Sequence, residues 1–256
     1  MPVLNRVRCT FTAPGLLALC GFCSVSAQTK PAAVLVPFVG CPADGQGGPV
    51  KAPTGKSKAL AIAPAIAQQL AYYQGYGGLG VLAPRGLHCF SQYGSDASIL
   101  FVSSQPIGSA QLFSSIWQGF SAPAIELSVN SGSTSGRFQV AQIIARVFPA
   151  HMSFAKSVIA EGIEPASDFP VGPFKSDKLN YLSKEAVEYQ TPPNMAGLGT
   201  QSRLLKGADP IAGVAILTGP DTDLVQLSAH LPPALAGLEP TIAHQVEADV
   251  KSSAIQ

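Results

Sequence analysis

The chain has 256 residues, 16 basic and 15 acidic side chains, and a formal net charge of +1. With no Lys/Arg cluster, this balance argues against nucleic acid or anionic lipid as the main partner. At 46% hydrophobic content and only 12% charged, the chain is also unlike a disordered one; its 25 Gly and 22 Pro suit a fold with many turns.

Residues 1–27 read as an export signal. Arg6 and Arg8 give a basic start, an apolar run includes Leu16, Leu17, Leu19 and Phe22, and Val25-Ser26-Ala27 is a small-residue cleavage site before Gln28. The run is too short to span a bilayer, and Pro14-Gly15 interrupts it. Cleavage after Ala27 would leave residues 28–256 as a single exported domain, periplasmic or secreted, with a possible subdivision near 162–180. No later run is long enough for a membrane span. Cleavage would also remove the C-x-x-C pair Cys20 and Cys23 and reduce five cysteines to two, Cys41 and Cys89. In an oxidising compartment their simplest state is a disulfide. A reactive Cys89 activated by His88 is the alternative, but adjacent strand residues point to opposite faces.

Val34 to Val39 reads as an edge strand because of Pro37, and 40–57 as an irregular loop held at Cys41. Pro64 to Tyr73 reads as a helix with Gly75 beyond its end. Leu79 to Ala83, Ile99 to Val102 and Ala124 to Val129 are apolar runs with the length of buried strands; Ala110 to Trp117 reads as a helix. A largely buried helix is expected from Arg137 to Phe148, and a second from Pro149 to Glu161. Beyond a Pro-rich connection, Ala186 to Gln190, Ser202 to Lys206, Ile211 to Leu217 and Leu224 to His230 read as antiparallel strands, with turns at 206–210 and Gly219-Pro220-Asp221. In the last strand Val225, Leu227 and Ala229 alternate with Gln226, Ser228 and His230, which predicts one buried and one exposed face. A helix from Pro240 closes the chain. The fold class expected is α+β: short mixed N-terminal strands and helices packed with a C-terminal antiparallel sheet and closing helix.

Few constellations carry chemistry. Thr54-Gly55-Lys56-Ser57 ends like a phosphate-binding loop, but Val50 replaces its first glycine and Pro53 removes an amide. Gly132-Ser133-Thr134-Ser135-Gly136 lies between a strand and a helix, where a nucleophile elbow belongs. Three readings follow: Ser135 caps the helix; the free amides of Ser133, Thr134 and Ser135 bind an anion with Arg137; or Thr134 is a nucleophile served by Asp221 or Asp223 and His230 or His244. Arg85 and His88, in a turn tied down at Cys89, form a second candidate anion site. His151 shares a helix arc with Phe154 and Val158 and reads as a core histidine, whereas Glu161 and Glu164 read as a solvated helix end. His244 and Glu247 are three apart but read as solvent-facing, so no metal and no cofactor is expected. Tyr72, Tyr73, Tyr76 and Tyr93 concentrate near the disulfide and suit either a groove or packing.

Val36-Pro37-Phe38-Val39-Gly40-Cys41-Pro42, Ala83-Pro84-Arg85-Gly86 with Cys89, Gly132 to Phe138, Ala145-Arg146-Val147-Phe148-Pro149-Ala150-His151, Glu161 to Pro165 and Gly197-Leu198-Gly199-Thr200 form a distinctive set. In them residues 33–250 resemble a group of exported bacterial proteins with no assigned function. The resemblance implies an envelope location, Gram-negative in type, and transfers no catalytic residue. The leading expectation is a non-enzymatic protein that binds a small ligand or an envelope protein; the alternative is the Thr134-centred hydrolase.

Overall fold

A computed structural model describes residues 33–253, which fall in one unit. The export-like segment 1–27 lies outside the described residues.

The elements in chain order are β1 (Val34–Val36), β2 (Phe38–Gly40), β3 (Ala43–Gly45), β4 (Lys58–Leu60), α1 (Pro64–Ala67), β5 (Leu70–Gln74), β6 (Gly80–Pro84), β7 (His88–Tyr93), β8 (Ala97–Ser103), α2 (Ser109–Leu112), β9 (Ala124–Asn130), α3 (Arg137–Val147), α4 (Met152–Ala160), β10 (Lys178–Tyr181), β11 (Ala186–Thr191), β12 (Ile211–Thr218), β13 (Asp223–His230) and α5 (Glu239–Ser253). Eight strands form one sheet in the order β10-β11-β12-β13-β9-β8-β7-β3, antiparallel throughout except where β3 joins β7. A second sheet has the order β2-β5-β6, and β1 pairs with β4. The fold is α+β, and its antiparallel C-terminal strands continue into the N-terminal half as a single sheet.

Both faces of the large sheet are covered, which explains the short, apolar strands. On one face Leu100, Val102, Ile125, Leu127, Val214, Val225 and Leu227 pack against the β2-β5-β6 sheet and the Ile242, Ala243 and Val246 stripe of α5. On the other, Ala215, Leu217, Leu224 and Tyr189 meet α3 and α4 through Val140, Ile144, Phe148 and Ala155. A smaller group around Phe101, Phe120, Leu204 and Ile211 closes the rest of that face.

Cys41 and Cys89 are joined in a disulfide, with their Cα atoms 5.3 Å apart. Cys41 lies where the chain leaves β2 in the small sheet for β3 in the large one, so the bond ties that crossing to β7.

Five local expectations are corrected. The stretch 40–57, expected as an irregular loop, contributes β3 to the edge of the large sheet, where it pairs with β7. The helix expected over 64–73 stops at Ala67, and Leu70 to Tyr73 is strand β5. All four of those side chains are buried, and the segment completes the small sheet between β2 and β6. Pairing on both edges outweighs the helical period. The helix expected from Ala110 to Trp117 is a single turn, Ser109–Leu112. Ser202 to Lys206 is not a strand: only Leu204 makes a bridge, to Phe120, and β12 instead pairs with β11. His230, expected at the surface, is 1% exposed. Its strand lies at the centre of the sheet, so its polar alternate positions are buried as well.

Candidate functional site

The sheet face below α3 carries an unusual block of polar side chains. Register places Glu126 beside Ser228 and Ser128 beside Gln226 on β9 and β13, and all four are buried. Tyr189 of β11 reaches over Gly213 to this block. Its hydroxyl donates to the Leu227 carbonyl at 2.7 Å, lies 2.7 Å from Ser228 Oγ, and accepts from Gln226 Nε2 at 3.3 Å. The segment 197–205 covers the block, because the Arg203 amide donates to Glu126 Oε2 at 2.6 Å. That segment is anchored in turn by Asp177, which accepts from the Leu198 amide at 2.7 Å and from Thr191 Oγ1 at 2.8 Å. Burial pushes the Glu126 carboxyl up to about 7, against the Arg203 amide that favours its charged form. Burial likewise lowers the His230 imidazole, opposed by Asp209, and neither ring nitrogen has a hydrogen-bond partner. The block is buried beneath the 197–205 segment.

The Gly132 to Gly136 turn does precede a helix, as the sequence suggests. Several of its groups are engaged locally. Asp223 Oδ1 accepts from the Gly132 amide at 2.9 Å, and Ser131 Oγ lies 3.2 Å from Ser133 Oγ. Thr134 Oγ1 accepts from the Gly136 amide at 3.4 Å, and its carbonyl accepts from Arg137. Gly136 stands at the N-cap of α3, and no side chain caps that helix, Ser135 included. Arg137 is held by Glu161, with an Nη2 to Oε2 distance of 2.6 Å, which leaves its guanidinium paired rather than aimed at an anion. This pairing raises the Arg137 guanidinium and lowers the Glu161 carboxyl.

The turn also lacks its histidine. Register puts His230 opposite Ala124 and Leu224 opposite Asn130, so His230 stands at the far end of β9, about 20 Å away at strand rise. His244 belongs to α5, on the opposite face of the sheet, beside Glu188. Of the proposed partners only Asp223 reaches the turn, and Asp221 approaches Gly132 through its carbonyl. At the second candidate site, Arg85 donates to the Leu70 and Ala67 carbonyls, both at 2.8 Å, so it closes the end of α1; His88 is exposed. His151 is half-buried, 3.7 Å from Glu185.

The tyrosines divide between the two sequence readings. Tyr73 is a core residue whose hydroxyl donates to Pro84 and accepts from Leu87. Tyr76 stacks on Tyr93, and Tyr72 and Tyr76 line a cleft of about 900 Å³ beside the C-terminal half of α5. Two polar side chains at that cleft pair with Asp249: Lys58 Nζ at 2.9 Å and the Tyr72 hydroxyl at 3.3 Å.

A second cavity, of about 330 Å³, lies between the N-terminal half of α5 and strands β10, β11 and β12. Small side chains make it. Ala212 and Ala229 form its floor and Ala236 and Ala243 its roof, where longer side chains would have closed the gap. Leu179 and Leu227 add apolar wall, and Lys178, Asn180, Glu188 and Gln190 lie along the sheet side. Glu239, the first residue of α5, also lines it. Its Oε1 is buried without a hydrogen-bond partner, and burial alone pushes its carboxyl up to about 7. Glu239 thus presents a carboxyl oxygen with no protein donor to a ligand-sized space.

Two turns further along α5, His244 and Glu247 meet Glu188 of β11, and donor atoms of all three lie within 4.8 Å of one another. Spacing alone left His244 and Glu247 facing solvent with no third ligand. His244 is indeed exposed, but the strand under the helix brings the third group. Nothing in the order of residues links position 188 to α5, and no signal in the sequence pointed to Glu188 or Glu239.

No protein-family model, curated protein or solved structure matches this chain. Among the described residues, no helix is long and apolar enough to cross a membrane.

Proposed function

We propose that this is an exported protein that binds a small, mainly apolar ligand bearing a cationic or strongly hydrogen-bond-donating group, in the cavity beneath α5. The buried, unpartnered Glu239 Oε1 at the wall of a cavity of about 330 Å³ carries the reading. A cavity of this size suits a small ligand, and a few polar groups set in mostly apolar walls are the usual way a pocket fixes orientation. A primary or secondary amine supplies what Glu239 lacks: a donor that also carries the compensating charge. The Cys41–Cys89 disulfide and the absence of a membrane-crossing helix among the described residues are compatible with a periplasmic or secreted location. The basic-apolar-small pattern of residues 1–27 supports export.

The test is calorimetric titration with a panel of hydrophobic amines and their isosteric carboxylic acids. Amines should bind and acids should not. Binding should strengthen between pH 6 and 8, because Glu239 ionises near 7 while an alkylamine stays protonated. Glu239→Gln should weaken amine binding at pH 8 by at least about tenfold, the effect expected for losing a buried charge-assisted bond. Ala243→Leu should abolish binding by filling the space. Equal binding of amines and acids, or indifference to Glu239→Gln, would overturn the reading.

A further inference from the structure

We propose that Glu188, His244 and Glu247 form a binding site for one divalent transition-metal cation at the seam between β11 and α5. Three observations meet there. The first is the donor set: one imidazole and two carboxylates, with their donor atoms within 4.8 Å of one another and His244 Nε2 4.0 Å from Glu188 Oε1. A tetrahedral ion with bonds of about 2.1 Å needs donors roughly 3.4 Å apart. Rotamer adjustments of under about 1 Å per donor close that difference.

The second is an unmet need. Glu247 Oε1 is buried and has no hydrogen-bond partner, and Glu188 presents a second carboxylate beside it. A cation between the two carboxylates meets that need. The third is an outer partner: Asn180 Nδ2 donates to Glu188 Oε2 at 2.8 Å, which fixes that carboxylate and leaves Oε1 turned toward His244. Metal-ligating carboxylates are commonly oriented in this way.

The scaffold is suitably rigid. His244 and Glu247 are three residues apart on a fifteen-residue helix, so they share a face, and β11 is paired along both edges. Imidazole among the donors favours zinc or a similar first-row ion over Mg²⁺ or Ca²⁺, which prefer all-oxygen shells. Three protein ligands leave at least one position open to water or another ligand. The site does not use Glu239.

The experiment titrates zinc chloride, without other ligand, into the chelator-stripped full chain, read by calorimetry and equilibrium dialysis. One equivalent should bind saturably. His244→Ala and Glu247→Gln should each weaken zinc affinity by tenfold or more, and Asn180→Ala by a smaller factor through loss of Glu188 positioning. His244 is exposed, so circular dichroism of His244→Ala should match the parent chain. His151→Ala removes a half-buried histidine 3.7 Å from Glu185 and should leave zinc affinity unchanged. No saturable zinc binding would mean that His244 merely pairs with carboxylates, and would overturn the site. Binding that survives in the His244→Ala/Glu247→Gln double variant, or that falls equally in His151→Ala, would overturn it too.

Discussion

Replacing Glu126 by glutamine should make the protein more stable at alkaline pH and little changed in acid. Glu126 is 6% exposed at the centre of the large sheet, and its carboxyl stands at about 7, against an ordinary value of 4.5. A raised value means that the folded state holds its proton where the unfolded chain has released it. Glu126 therefore contributes stability that is fully present below about 4.5 and is lost as pH rises through 7. The shift of about 2.5 units corresponds to about 3 kcal/mol between pH 4.5 and 8.5. Glutamine keeps the shape and an oxygen that accepts the Arg203 amide, yet carries no charge to desolvate. Urea denaturation of both proteins at the two pH values gives the test. The stability difference between them should change by about 3 kcal/mol, or roughly 6–12 °C in melting temperature for a domain of this size. Glu239, Glu247 and His230 titrate in both proteins, so their contributions cancel in the double difference. A change below about 1 kcal/mol would refute the reasoning, since the carboxylate would then be solvated in the folded state.

Reduction of the Cys41–Cys89 bond, which spans 48 residues, should cost about 4 kcal/mol on the chain-entropy account. Urea midpoints with and without reductant measure it, and a loss under about 1 kcal/mol would contradict a structural role. Gly213→Ala places a Cβ against the Leu227 carbonyl and 2.6 Å from the Tyr189 ring, because Tyr189 crosses β12 at this point. Destabilisation of about 2 kcal/mol or more is expected, and near-UV circular dichroism should report displacement of the tyrosine. A neutral effect would mean that Tyr189 does not hold its bonds to Leu227 and Ser228.

Much of the element order is legible in the sequence. Apolar runs mark β6, β8, β9, β12 and β13, and the stripe of Gln139, Gln142 and Arg146 marks α3 as largely buried. The failures share a cause. Leu70 to Tyr73 satisfies a helical period and a strand period alike, and only its neighbours β2 and β6 decide between them. Alternation in β13 suggested a solvated face for Gln226, Ser228 and His230. That inference holds for a sheet with one open face, whereas here α3, α4 and the 197–205 segment cover the second. The turn at Thr134 shows the complementary limit. Its strand–turn–helix setting is local and readable, but whether a histidine arrives depends on register across β9 and β13, and register delivers His230 to the opposite end.

The sequence by itself determined the local grammar of this protein: where the chain turns, which runs are apolar enough to be buried, and which two cysteines remain to pair once residues 1–27 are set aside. Those properties depend on neighbours a few residues apart. Only the tertiary structure decided the rest. Glu188, His244 and Glu247 come together because α5 packs on the sheet beside β11, and the cavity that Glu188 and Glu239 line exists because alanines meet from elements distant in the chain. A carboxylate's neighbours and its access to water are set by packing between such elements, and these decide whether it is a surface charge or a site.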